Sequence, residues 1–297
     1  MNRLAVLALL LVNACGAPAQ AQQTLLEARA AHASTFQSRE KANEPLATPP
    51  KGVFQKVTYR SPVGELGAYV TPPPADGGKR PAIIWLTGGD SNTIGDVWSP
   101  ADPANDQSAS AYRKAGIVMM FPSLRGGNQN PGYREAFYGE VDDILAAADY
   151  LASLPYVDPG RIYLGGHSTG GTLVLLTAEM TDRFRAVFAF GPVSQAADYG
   201  GDFLPTGLID RTDLRLRSPV FWLSSIKSPV FVIEGDARGN ADSLQELAQA
   251  GAGNPNLRTL LVPGYSHFSV LGPMNRQIAG KILADTGETT NITLQAP

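Results

Sequence analysis

Gly165-Gly166-His167-Ser168-Thr169-Gly170-Gly171 decides how this chain is read. Before it stands Arg161-Ile162-Tyr163-Leu164, a short apolar strand. After it stands Thr172-Leu173-Val174-Leu175-Leu176-Thr177-Ala178-Glu179-Met180, which reads as a helix. A G-x-S-x-G spacing at a strand-to-helix turn holds its serine on a strained elbow with the hydroxyl exposed. The residues two before and two after the serine must lack side chains, because strand and helix pass close together there.

Outward from this turn the chain alternates between strand and helix. Ala82-Ile83-Ile84-Trp85-Leu86, Ile117-Val118-Met119-Met120-Phe121, Ala186-Val187-Phe188-Ala189-Phe190 and Pro229-Val230-Phe231-Val232-Ile233 are continuous apolar runs, the pattern of strands buried on both faces. Residues 258–262 form the last strand. Helices are predicted over 108–114, 140–154, 243–250 with Asp242 as cap, and 273–284; Ser218-Pro219 opens another. In 140–154 the apolar residues Val141, Ile144, Leu145, Ala148 and Leu151 share one face. Strands joined by crossover helices imply an α/β fold, a mostly parallel sheet with helices on both faces. Residues 53–60 and 65–71 read as an N-terminal antiparallel hairpin turning through Ser61-Pro62-Val63-Gly64. They open a single domain spanning 51–297. Residues 22–50 form a lead-in, Ala-rich and helix-compatible over 24–39, that ends in the linker Glu44-Pro45-Leu46-Ala47-Thr48-Pro49-Pro50.

The first 21 residues read as a secretory signal peptide. Arg3 gives the positive start, residues 4–14 the apolar run, and Ala19-Gln20-Ala21 a small-x-small cleavage site before Gln22. The expected location is periplasmic or secreted. Val12-Asn13-Ala14-Cys15 offers a second route, a lipoprotein anchored through Cys15. That residue is the only cysteine, so the mature chain carries no disulfide and its core must stabilise it; about 275 residues suffice for one large core. The net charge is −3, and no Lys/Arg stripe supports nucleic-acid binding. No later apolar run reaches membrane-spanning length. No phosphate loop or metal-ligand cluster is present, so no cofactor is expected.

A serine hydroxyl needs a neighbouring base to become a nucleophile. Of three histidines, His32 lies in the lead-in and His167 is adjacent to Ser168, where its side chain leaves the turn in another direction. His267 follows the last strand, in Pro263-Gly264-Tyr265-Ser266-His267-Phe268, and is the candidate base. A third member, an acid, is expected between serine and histidine in sequence. Asp236, the first acid past the strand Phe231-Val232-Ile233-Glu234-Gly235, is chosen, with Asp242, Glu234 and Asp198 as the alternatives. For an oxyanion the expected donors are the backbone N–H of Thr169 and that of Gly89, in Thr87-Gly88-Gly89-Asp90.

The chain resembles the α/β-hydrolase superfamily and, within it, the catalytic domain of the prolyl oligopeptidase family and dienelactone hydrolase-like families. The resemblance rests on Pro122-Ser123-Leu124-Arg125-Gly126-Gly127, on Glu140-Val141-Asp142-Asp143-Ile144-Leu145-Ala146-Ala147-Ala148-Asp149-Tyr150-Leu151, on Val157-Asp158-Pro159-Gly160-Arg161-Ile162, on the serine elbow, and on Ile226-Lys227-Ser228-Pro229-Val230. It implies Ser168 as nucleophile and His267 as base. It also implies an Asp three residues past the glycine that ends the acid-bearing strand, where this chain has Arg238. The large N-terminal propeller of the oligopeptidases has no counterpart in the residues before the core. Access to Ser168 should then be set by loops, chiefly residues 90–107 with Trp98, and 126–137.

The leading reading is a serine hydrolase that cleaves a small ester or a short peptide through an acyl-enzyme on Ser168. A catalytically impaired binding protein on the same scaffold, motivated by Arg238, and an acyltransferase are the alternatives.

Overall fold

The computed structural model describes residues 23–297; the signal segment read at 1–21, Gln22 and Cys15 lie outside the described residues. Eight strands form one sheet: β1 Gln55–Ser61, β2 Gly64–Val70, β3 Arg80–Leu86, β4 Val118–Pro122, β5 Val157–His167, β6 Val187–Phe190, β7 Val230–Gly235 and β8 Leu257–Val262. Their spatial order is β1-β2-β4-β3-β5-β6-β7-β8. β1 and β2 are an antiparallel hairpin closed by Ser61 opposite Gly64, and β2 pairs antiparallel with β4. From β4 to β8 every pairing is parallel.

The helices are α1 Leu25–Ala30, α2 Ala111–Lys114, α3 Glu140–Ser153, α4 Thr169–Met180, α5 Arg211–Leu216, α6 Ala241–Ala250 and α7 Leu271–Ala284. The alternating pleat sorts the apolar strand residues into two cores. Ala82, Ile84 and Leu86 face a core shared with α1, α3, α4 and α6. Ile83 and Trp85 face one shared with α2 and α7. Residues Thr169 to Glu179 of α4 are all buried, which is why that helix reads as apolar all round. Among the described residues no helix is long and apolar enough to cross a membrane.

Three local expectations are corrected. Ser218-Pro219 opens two short 3-10 turns, Pro219–Phe221 and Leu223–Ser225, with no α-helix. Asp242 lies inside the first turn of α6; Asn240 holds the cap position without a side-chain cap bond. The Ala-rich lead-in is helical only over Leu25–Ala30. Beyond it the backbone makes tertiary bonds in place of helical ones: Gln37 and Ser38 N–H donate to Pro205 O, Arg134 N–H donates to Glu40 O at 3.0 Å, and Ala42 N–H donates to Gly126 O at 2.7 Å.

Candidate active site

β5 ends at His167 and α4 begins at Thr169, so Ser168 alone makes the turn between them. Its φ of 54° and ψ of −115° are a strained backbone for a residue with a Cβ. Such strain costs about 1–3 kcal/mol and persists only where the surroundings enforce it. They do so here. Ser168 N–H donates to Phe190 O at 2.8 Å and Thr172 N–H donates to Ser168 O at 2.9 Å. A Cβ on Gly166 would stand 2.6 Å from Gly170 O, and one on Gly170 would stand 2.5 Å from Leu86 O. The glycine spacing read in the sequence thus has a steric cause.

His267 lies in the loop after β8. Its Nδ1 bonds to Glu234 Oε2 at 2.8 Å. Glu234 is fully buried at the end of β7. Its carboxylate takes two further N–H donors, Gly235 at 2.7 Å on Oε1 and Asn240 at 3.0 Å on Oε2. Charge-assisted bonds of this kind fix a carboxylate in one orientation. Gly191, at φ 54°, lets the pair form, since a Cβ there would come within 2.4 Å of the His267 ring and 2.7 Å of Glu234 Oε2.

The choice of Asp236 is therefore corrected. Asp236 is exposed, and its Oδ1 accepts from Gly264 N–H at 2.8 Å, tying one loop to the next. Asp242 is exposed on α6, and Asp198 sits in a 3-10 turn, where burial and the nearby Glu246 raise its carboxyl above the usual range. Arg238 occupies the position at which the resemblance expects an Asp. It contributes only backbone to the site: at φ 64° its carbonyl accepts from His267 N–H at 3.0 Å. The sequence did carry a signal for Glu234, because a carboxylate inside an apolar buried strand needs partners.

Thr169 and Gly89, the two expected oxyanion donors, are brought together: Thr169 Oγ1 donates to Gly89 O at 2.7 Å. The Thr169 amide is in the first turn of α4, where N–H groups have no intrahelical acceptor. The Gly88 amide, by contrast, donates to Gln107 Oε1 at 3.1 Å.

His167 turns away from the elbow into the interior and is fully buried. Burial, followed by the neighbouring His267, lowers its pKa to about 3, so the ring is neutral. It stands 4.4 Å from the His267 ring, centroid to centroid.

The lead-in reaches this edge of the sheet. Residues 37–42 bond to the loop after β6 at Pro205 and to the loop after β4 at Gly126 and Arg134. In the sheet β3 and β5 lie between β4 and β6. The carboxyl ends of β3 and β5 carry Gly89 and Ser168. The lead-in is thus a strap joining the loops on either side of the elbow. A cavity of about 500 Å³ is lined by Arg39, Lys41 and Glu44 of the strap together with Asp90, Asn92 and Arg134.

The sequence matches the model of the prolyl oligopeptidase family over residues 103–268, more than half of the chain. Dipeptidyl-peptidase 5 of Porphyromonas gingivalis is 27% identical over 235 residues, which cover 69% of this chain and 33% of that protein. Acylaminoacyl peptidase of Pyrococcus horikoshii superposes with a TM-score of 0.62 at 17% identity, over 84% of this chain and 44% of the other. An esterase of Pyrococcus furiosus superposes with a TM-score of 0.61 at 17% identity, over 82% of this chain and 98% of the other. The chain therefore spans a third of the dipeptidyl-peptidase and under half of the acylaminoacyl peptidase, but nearly all of the esterase. With these matches and the α/β-hydrolase sheet, the chain belongs to the prolyl oligopeptidase family.

Proposed function

We propose that this enzyme cleaves small esters or short peptides through an acyl-enzyme on Ser168, with His267 as base and Glu234 as the acid that orients it. The 2.8 Å bond from His267 Nδ1 to the buried Glu234 carboxylate, in a chain whose Ser168 is held at φ 54° on the strand-to-helix elbow, carries the reading. With Nδ1–H committed to Glu234, Nε2 is the basic nitrogen. It takes the Ser168 proton as Oγ attacks the substrate carbonyl carbon. The oxyanion that forms meets the amides of Thr169 and Gly89. His267 then returns the proton to the leaving alcohol or amine, and water repeats the sequence on the acyl-enzyme.

The strap supports small substrates, since it borders the approach to the Gly89 loop. Impairment at the acid, which Arg238 suggested, loses its motive once Glu234 faces His267. The test is labelling of purified protein by a fluorophosphonate, beside Ser168→Ala and His267→Ala. Labelling that depends on Ser168 and falls with His267→Ala is expected, and labelling that survives Ser168→Ala overturns the reading. Turnover of short-chain nitrophenyl esters against aminoacyl nitroanilides ranks ester against peptide. Residues 1–21 support export to the periplasm or beyond. Mass spectrometry of the mature N-terminus should find Gln22, and a lipidated Cys15 would overturn that cleavage site.

A further inference from the structure

We propose that Gln107 and His167 act as a positioning pair that locks the loop carrying the base to the loop carrying the oxyanion donor. The inference rests on the serine-hydrolase reading of the same site. Every donor and acceptor in the chain of bonds is determined. His267 O is a carbonyl and can only accept, so the His167 nitrogen 2.9 Å from it, Nε2, carries the proton. Neutral His167 then has an unprotonated Nδ1, which accepts from Gln107 Nε2 at 2.8 Å. The other end of the same amide, Gln107 Oε1, accepts from Gly88 N–H at 3.1 Å. A flipped Gln107 would set N–H against N–H at Gly88, so its orientation is fixed as well. Gln107 Nε2 also donates to Asn105 Oδ1 at 2.8 Å, and Gln107 O accepts from Trp85 Nε1 at 3.1 Å, which seats the residue against β3.

The consequence falls on both halves of the site. The backbone of His267 is gripped at two points: its N–H by Arg238 O at 3.0 Å and its C=O by His167. The Gly88-Gly89 loop is likewise gripped at two points: Gly88 N–H by Gln107 and Gly89 O by Thr169 Oγ1. Gln107 and His167 connect these clamps. Neither residue needs to touch the substrate, and neither takes a proton in the reaction. The titratable group facing His167 is the His267 ring, with Glu234 behind it; Phe268 covers another side, its centroid 5.5 Å away. Among the described residues no carboxylate bonds to His167, and burial together with the His267 ring outweighs the bond to the His267 carbonyl, the one contact that favours the charged form.

The test uses the full mature enzyme with a short-chain nitrophenyl ester. Gln107 is only half-buried, so Gln107→Leu should fold, which a thermal melt checks. It should lower kcat roughly 10- to 100-fold while KM changes little, since misplacing reacting groups by about 1 Å costs on that order. Gln107→Leu combined with His167→Phe should be no slower than the slower single variant, because the two act as one unit. Gln107→Glu gives a readout that a packing role would not move. Its carboxylate still accepts from Gly88 and can also take a proton-bearing Nδ1 of His167. A charged His167 beside His267 should shift the acidic limb of the kcat/KM profile to lower pH and restore most of the rate lost in Gln107→Leu. A kcat within twofold of wild type in Gln107→Leu, or an acidic limb unmoved in Gln107→Glu, overturns the proposal. Ser168→Ala run in parallel separates this failure from failure of the hydrolase reading, since only the latter leaves Ser168→Ala active.

Discussion

Glu234→Gln tests the site at the point where sequence and structure part. Three N–H donors surround the Glu234 carboxylate: His267 Nδ1 at 2.8 Å, Gly235 N at 2.7 Å and Asn240 N at 3.0 Å. An amide offers one oxygen. If that oxygen turns to His267 and Asn240, the NH2 group faces Gly235 N–H, and two donors confront each other in a buried site. That arrangement costs about 1–3 kcal/mol of stability. If the NH2 group turns to His267 instead, Nδ1 must accept, and the proton moves to Nε2, the nitrogen that has to receive the Ser168 proton. Loss of the correct tautomer in a Ser-His-acid site costs about 10⁴ in kcat, or about 5 kcal/mol. The expected result is a kcat reduced by roughly 10³- to 10⁴-fold for a nitrophenyl ester, with slow fluorophosphonate labelling and a retained melting transition. Asp236→Asn keeps an oxygen for Gly264 N–H and should leave kcat unchanged. The reasoning is refuted if Glu234→Gln keeps more than about a tenth of wild-type kcat, or if Asp236→Asn falls as far.

Glu179 is buried with no hydrogen-bond partner on either oxygen among the described residues, and burial, only partly offset by Arg29, holds its carboxyl well above the ordinary range. The unfolded chain releases that proton near pH 4.5 while the folded chain keeps it, so stability is lost as pH rises from there toward the folded value. Glu179→Gln should match wild type in urea unfolding near pH 4 and exceed it at pH 8; equal midpoints at both pH values would refute this. The loss grows by about 1.4 kcal/mol for each unit by which the carboxyl is raised. Gly170→Ala places a Cβ 2.5 Å from Leu86 O, against backbone that cannot yield cheaply, and should lower stability by at least about 1–3 kcal/mol, read as a fall in melting temperature. Arg29→Met keeps the apolar stem but removes donors from Leu216 O, Phe137 O and Tyr138 O; roughly 3 kcal/mol of stability should be lost, and trypsin should cut faster at Arg39 and Lys41.

The sheet was legible because its strands are buried on both faces and so appear as unbroken apolar runs between turn signals. The elbow was legible because its glycines are dictated by clashes with Leu86 O and Gly170 O that no other residue avoids. His267 followed from the scarcity of histidines and its place after the last strand. Glu234 stands among the alternatives, and Asp236 is preferred to it as the first acid past the end of the strand. At the carboxyl end of a strand that argument fails, for a glutamate is long enough to reach the next loop, where an aspartate would need to start beyond the glycine. His167 was dismissed for its adjacency to Ser168. Its partners, Gln107 and the carbonyl of His267, are 60 and 100 residues away, and local sequence carries no trace of them. α5 was missed although Asp210 caps it, accepting from Thr212 and Asp213 N–H. Six residues with two apolar side chains give no helical period to read.

Chemistry and access are built from different parts of this chain. Ser168 and Glu234 are fixed by strand ends in a parallel sheet, and His267 and Gly89 are held at their backbones by hydrogen bonds with Arg238, His167 and Thr169. The strap from residue 37 to 42 is held otherwise, by a few backbone bonds to two loops and by Gln37 Nε2 on Thr206 O. Upstream of it Arg29 of α1 is buried and donates to three carbonyls, Leu216 O of α5 and Phe137 O and Tyr138 O of the loop before α3. Under the proposed function, loosening the lead-in through Arg29→Met should change KM more for bulky esters than for small ones while kcat for a small ester holds; an equal effect on both would refute a role of the lead-in in access.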